Sequence, residues 1–156
     1  MRIKILWLGK TKDPSIRSLA ADYLERIRRF VPCELLEVRD PAKAKNLRPS
    51  DRIEAEASEF LHHVAGAPLI VALDERGKEL ASEEFARWLE AEQNRGTKEI
   101  AFIIGGADGL GAAIAARAGL VLSLGKMTWT HEMCRVLLLE QTYRALSILK
   151  KTPYHR

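Results

Sequence analysis

Short apolar runs alternate with amphipathic stretches along the whole chain, and no other feature restricts the fold as much. Residues 2–8 are rich in isoleucine and leucine and end at Gly9, residues 68–73 are entirely apolar after Pro68, and residues 100–104 are apolar throughout. A run of that kind has no polar face to show to water. It reads as a strand buried on both sides, the type found in parallel sheets. Residues 33–38 and 120–124 supply two further strand candidates.

The stretches between them carry helix signals. Asp13 followed by Pro14 is an N-cap with proline at the first helical position. Ile16, Leu19, Ala20, Tyr23, Leu24, Ile27 and Phe30 then repeat at three-and-four spacing as one inward face, and Pro32 stops the pattern. Asp51 starts a second helix with Ile53, Ala57, Phe60, Leu61 and Val64 inward and Gly66 at its close. Ser82 caps a third, with Glu83 and Glu84 in its positive first turn and Phe85, Trp88 and Leu89 inward. Residues 112–118 and 131–150 are the last two, and residues 41–49 read as a polar, exposed loop. Strands alternating with helices predict an α/β fold, a parallel sheet covered by helices. Ligands on such sheets bind beyond the carboxyl ends of the strands, which here means the turns after Leu73, Ile104 and Leu124.

At 156 residues the chain suits a single domain, 1–156, able to bury a full core. No apolar run approaches the roughly 20 residues of a membrane span, and the apolar stretch near the N-terminus is too short for a signal peptide. Cys33 and Cys134 lie too far apart in sequence to suggest a disulfide framework, so a reducing, cytoplasmic setting is expected. Lys and Arg number 25 against 21 Asp and Glu, a net +4 that permits an anionic partner without demanding one. Aromatics at 6% argue against a broad stacking surface for single strands.

The densest glycine cluster is Gly105-Gly106-Ala107-Asp108-Gly109-Leu110-Gly111, directly after an apolar strand. Such a cluster brings backbone close to a ligand, or else makes a tight turn that needs positive φ. The dinucleotide pattern G-x-G-x-x-G fits no register, and Gly125-Lys126 fails the phosphate-loop pattern because Met127 follows. A second segment, Gly125-Lys126-Met127-Thr128-Trp129-Thr130-His131, also joins a strand to a helix. Its Met127 and Trp129 suit a ligand or partner wall, or a cover for the core edge. Asp74 and Glu75 suit a ribose, a cation or a solvated turn. His131 and Cys134 share a helix face, but no second pair of metal ligands lies nearby, so no metal is expected. His62 and His63 point to different faces. Arginines and lysines cluster at 26–29, at 43–52 and at 150–156, which raises RNA as a partner.

The last third of the chain goes further. Residues 104–110 (Ile-Gly-Gly-Ala-Asp-Gly-Leu) combine with Arg135-Val136-Leu137, with Glu140-Gln141-Thr142-Tyr143-Arg144-Ala145 and with the terminal Pro153-Tyr154-His155-Arg156. In that order and at this length the chain resembles the RlmH family, ribosomal RNA large subunit methyltransferase H, of the SPOUT class. One departure precedes the last helix: Thr130 and Glu132 flank His131 where many relatives carry proline. The resemblance implies an α/β-knot fold with a C-terminal trefoil knot, which periodicity does not reveal and default connection rules exclude. It implies a homodimer that methylates N3 of a pseudouridine in 23S rRNA of the assembled ribosome, with S-adenosyl-L-methionine as donor and no metal. Donor contacts would come from Leu73, Gly105, Gly106, Gly125, Lys126, Met127, Thr128, Trp129 and Thr130. The tail would supply His155 to handle the proton or orient the base, Tyr154 to stack and Arg156 to pair with phosphate. Arg135, Tyr143 and Arg144 would serve the dimer or the RNA. The competing reading is an RNA-binding factor on the same fold with no donor affinity.

Overall fold

The computed structural model describes residues 1–41, 47–66, 69–106 and 108–155, with only the backbone at His155. Lys43, Lys45, Ala107 and Arg156, and the His155 side chain, lie outside the described residues. Among the described residues five strands, β1 (Arg2–Leu8), β2 (Cys33–Val38), β3 (Leu69–Glu79), β4 (Glu99–Ile104) and β5 (Leu120–Ser123), alternate with helices. The helices are α1 (Pro14–Arg28), α2 (Pro49–His63), α3 (Ser82–Asn94), α4 (Ala112–Arg117) and α5 (His131–Leu149), and a 3-10 turn, Pro153–His155, follows. Every strand pair is parallel and the order is β2-β1-β4-β3-β5.

Period-two alternation sorts each buried strand between two cores. Ile3, Ile5 and Trp7 of β1 and Ile100, Phe102 and Ile104 of β4 pack with α1, α3 and α5. Leu6, Leu8, Ala101 and Ile103 face the other way, onto α2 and α4. Trp7, Phe60 and Phe102 are fully buried, and each such side chain contributes about 2 kcal/mol. Among the described residues no helix is long and apolar enough to cross a membrane.

Helix α1 starts where the sequence places it. Asp13 Oδ1 accepts from the backbone N–H of Ser15 at 2.8 Å and of Ile16 at 3.0 Å. Replacing Asp13 with alanine orphans both donors, so urea unfolding of that variant will show a loss of about 1 kcal/mol at unchanged m-value. The inward face is narrower than its apolar spacing: Ala20, Leu24 and Ile27 are buried, but Leu19 lies on the flank and is exposed. Helix α2 begins at Pro49 rather than Asp51, with proline in its first turn. Helix α3 is capped at Ala81, not Ser82. Glu84 Oε2 accepts the Ala81 N–H at 2.8 Å, and Ser82 Oγ donates to Gln141 Oε1 on α5 at 2.6 Å. Strand β3 does not stop at Leu73. Its register against β5 shifts between Leu73 and Lys78, and Lys78 and Glu79 pair with Leu122 and Ser123 beyond the irregularity.

Candidate functional site

The order β4-β3-β5 sets three carboxyl strand ends side by side, and the turns that leave them enclose a cleft of about 320 Å³. One wall is Leu73 and the irregular part of β3, the second is Ile104 with Gly105, Gly106 and Gly109, and the third runs from Ser123 through Trp129. Leu73, Gly105, Gly106, Gly125, Met127, Thr128 and Trp129 all lie on these walls. Lys126 and Thr130 do not. Lys126 is exposed, and Thr130 is the N-cap of α5, its Oγ1 accepting the Met133 N–H at 3.3 Å. A proline at that position would have no such oxygen. Met127 and Trp129 are exposed at the cleft, and Trp129 also borders a cavity shared with the core residues Phe85 and Leu138.

Two close approaches shape the walls. A Cβ on Gly105 would lie 2.7 Å from the Gly109 carbonyl oxygen, so only glycine lets the turn fold back on itself. The turn is closed by the Gly109 N–H donating to the Gly106 carbonyl at 3.1 Å. Gly77 fills the same need opposite: a Cβ there would meet the backbone of Leu122 at 2.7 Å. Sequence reasoning passed over Gly77, whose only signal is a lone glycine inside a charged stretch.

The polar groups are engaged with one another. Asp74 accepts from the Arg76 backbone N–H at 2.9 Å and from its guanidinium at 3.0 and 3.1 Å, which holds its carboxyl below the usual range. Thr128 Oγ1 donates to Glu75 Oε2 at 3.4 Å and joins the β3 and β5 walls. His131 and Cys134 line the cleft too, and burial pushes the Cys134 thiol pKa up. Among the described residues no group of three or more His, Cys, Asp and Glu side chains is gathered as metal ligands would be.

A second, polar basin of about 300 Å³ adjoins the cleft and shares Asp108 and His131 with it. Glu56 of α2 lines it at 4% exposure. Burial pushes its carboxyl up to about 7, with Asp40 and Asp108 adding to the rise and the Gly106 N–H and Arg52 opposing it. Arg135 lines the basin at 1% exposure, its guanidinium donating to Thr11 Oγ1 and to the Leu8 carbonyl, each at 2.7 Å, and standing 5.0 Å from the Trp7 ring centroid. Arg135 is thus held inside its own chain. Sequence reasoning missed Glu56. Its signal was a carboxylate on the apolar stripe of α2, between Ile53 and Phe60 at helical spacing.

The tail lies elsewhere. Tyr154 Oη is 3.0 Å from Tyr23 Oη and donates to Glu140 Oε1 at 3.2 Å, and its ring meets Tyr143 edge-on at 4.6 Å. Arg144 donates to Glu140 Oε1 at 2.6 Å. This cluster sits on the middle of α5, at Glu140, Tyr143 and Arg144, whereas the cleft takes the first turn of that helix. Glu140 lies nine residues along α5 from His131, a rise of about 14 Å.

The model of a family described as predicted SPOUT methyltransferase matches residues 1–155. Ribosomal RNA large subunit methyltransferase H of Trichlorobacter lovleyi is 43% identical over 155 residues, covering 99% of each chain. The protein of that name from Rhizobium meliloti is 43% identical over 159 residues, covering 100% of this chain and 99% of its own. Among solved structures, a probable methylase family protein from Haemophilus influenzae Rd KW20 aligns with TM-score 0.60 and 14% identity over 99% of this chain and 70% of that one. A probable methyltransferase from Bordetella pertussis Tohama I gives 0.59 and 12% over 93% and 94%. These two likenesses speak for the fold; the full-length identities carry the rest. The chain belongs to the ribosomal RNA large subunit methyltransferase H family of SPOUT methyltransferases.

Proposed function

We propose that this protein is an S-adenosyl-L-methionine-dependent methyltransferase that methylates N3 of a pseudouridine in 23S rRNA of the large ribosomal subunit, acting on the assembled ribosome in the cytoplasm. The observation that carries this reading is the convergence of three strand-end turns on one cleft, with Gly105 bare of side chain at its wall. The residues present fit the donor. Leu73, Met127 and Trp129 offer apolar surface to an adenine, and the glycine turns offer backbone N–H and C=O groups to its edge and to a ribose. We further read the C-terminal segment as threaded in the trefoil knot of the class.

The donor brings a methyl group already activated on a sulfonium, so the protein has no nucleophile of its own to build. Its work is to hold the methyl carbon in line with the target nitrogen, to exclude water and to receive one proton. The glycine turns fix the donor backbone-first, which leaves little side-chain freedom to lose on binding. Trp129 and Met127, at the exposed side of the cleft, cover it when substrate docks.

Within one chain Tyr154 is held by Tyr23 and Glu140, about 14 Å along α5 from His131 at the cleft. A homodimer resolves the distance by setting one subunit's cleft beside its partner's tail. Exposed Leu19 on α1 and Met133 on α5 give two such subunits apolar surface to share. Within that arrangement His155 orients the base or handles its proton, Tyr154 stacks on it and Arg156 pairs with phosphate.

Titration calorimetry with S-adenosyl-L-methionine, followed by mass analysis of 23S rRNA from treated ribosomes, tests the reading. Saturable donor binding and a gain of one methyl on a pseudouridine are expected. A chain with no donor affinity that still binds ribosomes is instead a non-enzymatic factor.

A further inference from the structure

Three side chains lining the polar basin leave a buried polar atom without a hydrogen-bond partner: Arg52 Nε, Glu56 Oε2 and Arg135 Nε. Among the described residues only six buried side-chain atoms are in that position, so half of them belong to one basin. Buried polar groups are almost always paired, and a concentration of exceptions marks a place where a polar ligand completes the set. The chemistry of the set is specific. Two guanidinium N–H donors accompany one carboxylate acceptor. An imide edge, O–N(H)–O, offers the complementary acceptors and donor.

The basin also stands where such an edge is needed. It opens beside the cleft through Asp108 and His131, and a Cβ on Gly106 would lie 3.2 Å from Glu56 Oε2. Only the glycine turn therefore separates Glu56 from the cleft. Helix α2 grips that turn twice, with Arg52 donating to Asp108 at 3.2 Å and with the Gly106 N–H directed at Glu56.

We propose that this basin receives the imide edge of the target base and that Glu56 accepts the proton from its N3. The assignment rests on the methyltransferase reading above. The N3–H bond breaks toward the Glu56 carboxylate as the N3 electron pair bonds to the donor methyl carbon, and the pair of the broken C–S bond stays on sulfur as a neutral thioether. The proton then passes from Glu56 to water in the basin. Arg52 and Arg135 hold the two flanking carbonyls and stabilise the charge that grows on them. Methylation removes the N–H that Glu56 recognises, which favours product release.

A carboxyl titrating near neutrality suits this task, being ionised at working pH yet basic enough to take the proton. The charges that face it come from every side. Asp40 follows β2 and Asp108 leaves β4, while Lys10 and Lys12 lie between β1 and α1. Helix α5 contributes His131, Glu132 and Arg135, and Glu132 is held by the Lys12 and Asp13 backbone N–H groups at 2.8 and 3.2 Å.

The test uses full-length protein and the variants Glu56→Gln and Glu56→Asp. Single-turnover methyl transfer to ribosomes is measured from pH 5.5 to 9, and donor affinity by calorimetry. The wild-type rate should fall about tenfold per unit below its inflection near neutrality. Glu56→Gln should bind donor within about threefold of wild type, transfer methyl at least ~100-fold more slowly and lack that acid limb, with Glu56→Asp in between. An independent arm needs no turnover. Amide NMR signals of Gly106 and Asp108 should shift with pseudouridine nucleoside but not with N3-methylpseudouridine, and not in Glu56→Gln. A wild-type rate in Glu56→Gln, or equal shifts with both nucleosides, overturns the assignment while leaving the methyltransferase reading intact. If Glu56→Gln does not fold, a wild-type profile without the acid limb overturns it. Wild-type protein that binds donor but never methylates rRNA overturns the proposed function instead, and the nucleoside titration still judges the basin.

Discussion

Deleting residues 154–156 should leave S-adenosyl-L-methionine binding within about threefold of the intact chain and lower methyl transfer to ribosomes at least ~1000-fold. The two effects separate because the first turn and the middle of α5 do different things. The cleft is walled by β3, β4, β5, the segment before α5 and the first turn of α5, whereas Tyr154 bonds Glu140 further along that helix. What the deletion removes is a proposed hold on the nucleobase, and misplacing a reacting atom by even an ångström can cost orders of magnitude in rate. Some stability goes too, since Tyr154 donates to Glu140 and packs on Tyr143. Thermal unfolding should therefore drop by a few degrees, a loss of about 1 kcal/mol. Calorimetry for the donor and tritium incorporation into ribosomes make the comparison. Full transfer activity in the shortened chain would remove the tail from the mechanism.

The sheet was legible because its strands are apolar on both faces. Residues 2–8 and 33–38 come out with the boundaries read from the sequence, and residues 100–104 extend by one, to Glu99. For β3 the apolar pattern stops at Leu73, short of the strand's end at Glu79. Its outer half, Asp74 to Glu79, is charged and glycine-broken, and it becomes a strand only by pairing with β5 past the irregularity, a tertiary fact that local pattern does not carry. Leu19 was read as inward because spacing marks an apolar face but not how much of it a neighbour covers. The cleft was legible at its glycines, since a cluster after an apolar strand has few other uses. The close approach of Gly77 to β5 was not, because a lone glycine is ambiguous until the opposing backbone is in view. The resemblance gives Arg135 to the dimer or the RNA, and nothing in the sequence marks it as buried. Here Thr11, Leu8 and Trp7 supply what water would. The resemblance gives Tyr154 a role at the target base, and within this chain Tyr23, Glu140 and Tyr143 hold it about 14 Å along α5 from the cleft, a placement that local pattern does not carry.

Gly105→Ala should raise the donor dissociation constant at least ~100-fold, a loss of about 2.7 kcal/mol, while the folded sheet persists. The added methyl would lie 2.7 Å from the Gly109 carbonyl oxygen and 3.1 Å from Leu110 Cδ2. The first neighbour is backbone, so the relief is movement of the turn itself rather than a rotamer change, and the N–H and C=O groups proposed to meet the donor move with it. β4 ends at Ile104 and is clamped between β1 and β3, which confines the damage to the turn. An unchanged dissociation constant would show that the turn does not touch the donor. The same variant then decides whether sites are shared. Mixed in equal amounts with the tail deletion and allowed to exchange subunits, half of the dimers pair an intact cleft with an intact tail on the opposite chain. Each such dimer holds one complete shared site of its two, so about a quarter of wild-type activity should return from two inactive parents. A site built within one chain has no such combination available, because every subunit in the mixture lacks either its cleft or its tail, and the mixture would stay as inactive as its components.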